Sequence, residues 1–189
     1  MDALLRGWWR VLTALGHIER VAGCALLALV VVAISIQVGT RYLFGRPLVW
    51  VEELATYAFI WSVFIGAGLG MKELRHIRID TFVGRLAPRP QALMRAGLWA
   101  LATFAAMVVA IEAFEIMPIE ARSRTMALPV EIERHWFYSV PLFAGLASIA
   151  LTGAYLVAAE LALALTGRPV EAEVEVARRR AADEAEAAP

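Results

Sequence analysis

Between Val21 and Thr40 the chain runs for twenty residues without a charged side chain (VAGCALLALVVVAISIQVGT). A bilayer core of roughly 30 Å takes about 20 apolar residues to cross as a helix. Two further runs are equally free of charge: Leu54 to Met71 (LATYAFIWSVFIGAGLGM) and Trp136 to Ala159 (WFYSVPLFAGLASIALTGAYLVAA). Ala96 to Ile111 is shorter. It reaches spanning length with Leu93 and Met94 before it and Phe114 to Ile116 after it, provided that Arg95 and Glu112 sit near the interfaces. Backbone groups in hydrocarbon must be satisfied within the chain, which leaves helices for runs of this kind. The expected fold is therefore an all-α integral membrane protein with four transmembrane helices, at about 21–43, 51–72, 92–116 and 136–163, in a domain spanning 21–166. Composition agrees: 60% of the residues are hydrophobic, against about 45–50% in soluble domains.

Lysine and arginine set the orientation. The N-terminal segment, the second loop and the C-terminal segment hold thirteen of the eighteen, and the first and third loops hold five. Both termini are thus expected in the cytoplasm. In residues 1–20, Leu4, Leu5, Trp8, Trp9, Leu12 and Leu15 interleave with Arg6, Arg10 and His17 at helical spacing. Trp and Arg favour interfacial depth, so this stretch is expected as a separate amphipathic helix lying in the cytoplasmic interface. No short apolar core with a small-residue cleavage pattern stands at the N-terminus, which argues against a cleaved signal peptide. Residues 167–189 are expected to form a polar cytoplasmic tail, solvated and disordered or loosely helical. Cys24 is the single cysteine, so an internal disulfide and a cysteine-based metal cluster are both excluded.

Few residues suggest chemistry. His17, His76 and His135 fall at or near predicted helix ends, which leaves a haem bound within the bilayer without ligands. No phosphate-binding loop, zinc-protease motif or Gly-rich nucleotide signature occurs, and no serine has a histidine or acid at telling spacing. The chain is not expected to be an enzyme, to carry a metal or cofactor, or to bind nucleic acid, its charges summing to zero. The uncharged runs contain no ionisable residue, whereas a chain moving ions through its own centre should hold acids, bases or broken helices at mid-depth. Ser35, Gln37, Ser62, Ser148 and Thr152 are the polar residues there, and such groups commonly serve helix packing.

Charged residues gather instead at the outer rim: Arg41 and Arg46, then Glu52 and Glu53, then Glu112 and Glu115. Glu52 and Glu53 lie about 100° apart on a helix, so at most one faces a given neighbour squarely. Either they complement the helix dipole beside an interfacial Trp50, or they have a specific role. Glu112 and Glu115 share a face and either mark the water-facing end of the third span or pair with an arginine. Gly66, Gly68 and Gly70 permit close helix approach.

The stretch RYLFGRPLVWVEELATYAFIWSVFIGAGLGMKELRHIRIDTFVGRL, Arg41 to Leu86, resembles the central region of the small membrane subunit (DctQ-type) of tripartite ATP-independent periplasmic (TRAP) transporters. The parts occur in the same order: an Arg-Tyr pair ending the first span, a Trp with a Glu pair two residues on, an aromatic second span with glycines, and His-Ile-x-Ile-Asp at His76 to Asp80. The resemblance implies a non-catalytic subunit of the bacterial inner membrane. It would pack against the scaffold of a large, about twelve-span subunit, which takes up an organic acid, usually a carboxylate, delivered by a periplasmic substrate-binding protein. The matching positions are Arg41, Trp50, Glu52, Glu53, His76 and Asp80. Arg41 is expected to link to one of the glutamates and fix the first two spans at the outer rim, and His76 and Asp80 to orient the inner loop. Two other readings are a self-sufficient four-helix proton-coupled transporter, which needs an acid inside a span, and a membrane anchor of a redox complex, which needs histidine at depth.

Overall fold

The computed structural model describes residues 2–73 and 87–167. Within them lie four long helices: α1 (Asp2–Phe44), α2 (Val49–Lys72), α3 (Pro88–Glu120) and α4 (Ser139–Thr166), with a single 3-10 turn at Arg134–Trp136. All four are long and apolar enough to cross a membrane. Each starts or stops where the sequence supplies a reason. Gly45 takes φ +64° just after α1, and a proline follows the Gly-Arg step, so the chain turns within a few residues. Prolines at its first turn start α3, where a missing N–H costs nothing. Gly167, at φ 70°, closes α4 by donating its N–H to the Leu163 carbonyl.

The helices pack in the order α1, α2, α4, α3, with α1 also reaching α4. The outer pair are the more exposed: 6% of the apolar window of α1 and 17% of that of α3 is buried, against 33% and 39% for α2 and α4. Consecutive helices run antiparallel, so the two inner ones, α2 and α4, run parallel, with each α2 residue level with one about eighty positions later. Glycines set their separation. A Cβ on Gly145 would stand 2.7 Å from the Phe64 carbonyl oxygen and 2.8 Å from its Cβ, and one on Gly68 would stand 3.0 Å from Ser148 Oγ. Of the three glycines read in the second span only Gly68 is used in this way, since a Cβ at Gly66 or Gly70 would meet open space.

The N-terminal segment differs from the expectation. No break separates residues 1–20 from the first span: α1 is one helix from Asp2 to Phe44. The reason is packing. Where α2 ends at Lys72, α4 continues, and the N-terminal half of α1 covers it. Leu5 and Leu12 are buried in a cluster with Met71, Tyr155, Leu156, Ala159 and Ala162. Trp8 meets Tyr155 edge-on at 5.7 Å between ring centres, and Trp9 lies tilted against it at 5.4 Å. A helix that buries its apolar residues on a neighbour gains more than propensity alone provides, and nothing then favours a break at residue 20. The loop with His76 and Asp80, and residues 168–189, lie outside the described residues.

The close α2–α4 approach yields a test. Gly145→Ala should lower stability by about 1–3 kcal/mol through overpacking, whereas Gly66→Ala should be close to neutral. Thermal unfolding of the two variants in detergent measures the difference.

Candidate functional site

Two polar clusters hold the bundle, one near each end of α2. The first joins three helices. Lys72 Nζ, at the end of α2, donates to Glu19 Oε1 and Oε2 of α1 at 2.8 and 2.7 Å, and also to Ser148 Oγ of α4. Ser148 Oγ in turn donates to Glu19 Oε1 at 2.7 Å. Both charges are withdrawn from solvent, with side-chain exposures of 5% for Lys72 and 11% for Glu19. Thr152 backs the site by donating to the Ser148 carbonyl at 2.8 Å, and Gly16 and Gly68 supply the room, each lying where a Cβ would press on Lys72 or on Ser148. Removing two charges from water costs several kcal/mol per ion, and the attraction offsets this only where the remaining donors and acceptors are filled. Here the serine hydroxyl fills one acceptor and one donor. Beside the cluster, exposed Arg20 bonds Glu73 at 2.6 Å. Further along α4, Glu160 is 3% exposed with Arg95 Nη1 of α3 at 3.9 Å.

The second cluster centres on Glu53. Its carboxylate accepts the Tyr57 hydroxyl at 2.5 Å and the backbone N–H groups of Met126, Ala127 and Leu128 at 3.1, 2.6 and 2.8 Å. Three successive amides converging on one anion form a concave backbone nest. The loop from Arg122 to Glu133 is thereby tied to α2, and it is also tied to itself. Thr125 N donates to the Ile132 carbonyl and Arg134 N to that of Ser123, both at 3.0 Å. Thr125 Oγ1 donates to the Val130 carbonyl and accepts the Ile132 N–H. Tyr57 stacks on Phe137 at 4.0 Å, Trp61 donates to the Trp136 carbonyl at 3.1 Å, and Ser139 donates to Glu120, closing the α3–α4 junction.

The residues singled out in the sequence fall in different places. Glu53 is at the centre of the loop anchor. Glu52 lies on the other side of α2 and accepts a long 3.5 Å bond from Gln37 Nε2 of α1. Arg41 does not make the expected link: it is exposed at the end of α1 with its guanidinium 6.0 Å from the Tyr42 ring centre. Gln37, one turn earlier on α1, takes the place facing Glu52. Trp50 is 39% exposed at the start of α2, and Glu112 and Glu115 are exposed on α3. His17 is exposed on α1, and His135 lies 3.3 Å from Glu133 in the loop. The Glu19–Lys72 pair was missed because both residues lie outside the uncharged runs, and Lys72 entered the sequence reading only as a loop charge that sets orientation. The signal that could have found it is an acid preceding one span and a lysine ending the next, each with a glycine three or four residues before it.

Comparison with known proteins identifies what carries these clusters. Residues 30–163, from the middle of α1 almost to the end of α4, match the DctQ component of tripartite ATP-independent periplasmic transporters. The chain belongs to this family. It is 25% identical over 132 residues to the sialic acid TRAP transporter small permease protein SiaQ of Vibrio cholerae, covering 68% of this chain and 73% of that one. It is 34% identical over 71 residues to a protein of Haemophilus influenzae named as a TRAP transporter small permease, covering 38% and 44%. It is 32% identical over 82 residues to the C4-dicarboxylate small permease DctQ of Rhodobacter capsulatus, covering 43% and 36%. The chain thus spans less than half the length of the last two relatives. Family and helices together make this a multi-pass inner-membrane protein, and the family is that of a transporter permease subunit.

Each cluster carries a prediction. Lys72→Met leaves the Glu19 carboxylate buried without its cation and should cost about 3–5 kcal/mol, while the double variant Glu19→Leu/Lys72→Met should regain most of the loss. Thermal unfolding of the single and double variants checks the coupling. Glu53→Ala strips the acceptor from three amides and a phenol, for a loss of about 1–3 kcal/mol. Limited proteolysis should then cut between Met126 and Val130 faster than in the unaltered chain.

Proposed function

We propose that this chain is the small, non-catalytic membrane subunit of a TRAP-type secondary transporter. It packs against the scaffold of a large, about twelve-span subunit. That partner uses an ion gradient to take up an organic acid, a carboxylate in this reading, handed over by a periplasmic substrate-binding protein. The family match over residues 30–163 carries the proposal. The polar architecture supports the division of labour: the buried charged side chains among the described residues, Glu19, Lys72 and Glu160, each face an opposite charge of this same chain. Groups committed to holding helices together are not available to bind and release a travelling ion.

The distribution of lysine and arginine supports an orientation with both termini in the cytoplasm. In that orientation the loop held by Glu53 faces the periplasm, where the binding protein arrives, and Arg41 and Trp50 stand at the outer rim for partner contacts. His76 and Asp80 belong on the cytoplasmic side, as organisers of the inner loop.

Affinity purification of the tagged chain from its native membrane should bring down the large subunit in a stable complex. Deleting the chain should abolish uptake of the carboxylate that the binding protein captures. Isolation of the chain alone, with uptake unaltered after deletion, would remove the proposal.

A further inference from the structure

Among the described residues one histidine stands against a carboxylate. His135, in the 3-10 turn, has a side chain only 15% exposed, and its Nδ1 lies 3.3 Å from Glu133 Oε2. That nitrogen is buried and makes no aligned hydrogen bond among the described residues. Trp136 lies tilted against the ring at 5.2 Å between centres. The other oxygen of the same carboxylate, Oε1, is 3.8 Å from Arg124 Nη2. Glu133 thus sits between a permanent cation and an imidazole that can become one.

The place of this carboxylate in the loop gives the contact its leverage. Arg124 and Glu133 pair as an antiparallel bridge, flanked by the bonds from Thr125 N to the Ile132 carbonyl and from Arg134 N to that of Ser123. They form the neck of the loop, whereas Glu53 holds the stretch from Met126 to Leu128. The charged groups that neighbouring elements bring near the turn are otherwise committed. Glu120, ending α3, accepts the Ser139 hydroxyl, Glu53 of α2 is filled by Tyr57 and the three amides, and Arg134 lies over the Tyr138 ring at 5.1 Å. Helix α4 has no charged residue before Glu160, and Arg122 and Glu131 of the loop are exposed. That leaves Glu133 as the acid facing His135.

We propose that His135 and Glu133 form a proton-operated clasp at the neck of the Arg122–Glu133 loop, closed in acid and released as pH rises. Imidazole changes charge between about pH 5 and 8, a range in which carboxylates stay ionised. With a proton on Nδ1, the ring can turn a charge-assisted donor on Glu133, a bond about twice as strong as a neutral one. Without it, a nitrogen lone pair faces a carboxylate oxygen, and two acceptors repel. Closure therefore gains in acid, and the gain is lost as the ring deprotonates. The clasp is internal to this chain and does not depend on the transporter reading.

Hydrogen exchange of the full chain in detergent micelles, at about pH 5.5 and about pH 8, tests the clasp. Protection factors are the readout, because they divide out the pH dependence of exchange itself. The amides of Thr125, Ile132 and Arg134, which tie the two sides of the neck, should lose about threefold to fivefold protection between the two conditions. His135→Gln and Glu133→Gln should each abolish that difference, while the amides midway along α4 keep equal protection and report an intact bundle. Equal protection of the neck at both pH values in the unaltered chain overturns the proposal. So does a difference that survives in either variant.

Discussion

One ammonium group, Lys72 Nζ, is where three of the four helices meet. It takes both carboxylate oxygens of Glu19 from α1 and the Ser148 hydroxyl from α4, and the packing around it follows. Gly16 and Gly68 keep the space it needs, Gly145 lets α4 approach α2 nearby, and beyond Lys72 the N-terminal half of α1 takes over the α4 surface that α2 leaves bare. A buried ion pair is weak evidence for net stability, and a register-setting role is its best-attested use. Lipid-facing helices gain little from apolar contact with one another, so a directional polar contact has unusual weight in deciding which helix sits at which height.

Four long apolar helices were legible in the sequence, because uncharged runs of spanning length leave few alternatives. The family was legible too, from the ordered elements between Arg41 and Leu86. The partners of the polar residues were not. Arg41 was the obvious counter-ion for the rim glutamates by charge and position, yet Gln37 faces Glu52, and Glu53 is held by Tyr57 and by backbone amides some seventy residues away. Backbone donors carry no residue-type signature, so such contacts are invisible to pattern reading. The continuity of α1 was missed for a related reason. Arg6, Arg10 and His17 lie on the exposed side of this segment, whereas Trp8 and Trp9, read as interfacial, pack with Leu5 and Leu12 on Tyr155 of a helix more than a hundred residues later.

The two clusters differ in what they constrain. Glu19, Lys72 and Ser148 bind helix to helix, and Glu53 binds a loop to a helix. Such a loop would otherwise be the least ordered part of the bundle; with Thr125 bracing it and Tyr57 stacked on Phe137, it is presented in one shape. A preformed loop pays less ordering entropy when a partner docks on it.

The Trp8–Tyr155 contact has a consequence for biogenesis. The N-terminal half of α1 packs on a helix made more than a hundred residues later, so until α4 is in place Glu19 and Lys72 can face each other only without Ser148. A chain truncated before α4 would leave that pair without its hydroxyl, and Leu5 and Leu12 without their cover. Arrival of α4, rather than insertion of α1 or α2, is then the event that closes the bundle. An unfinished chain would display to membrane quality control the polar groups that the finished one conceals.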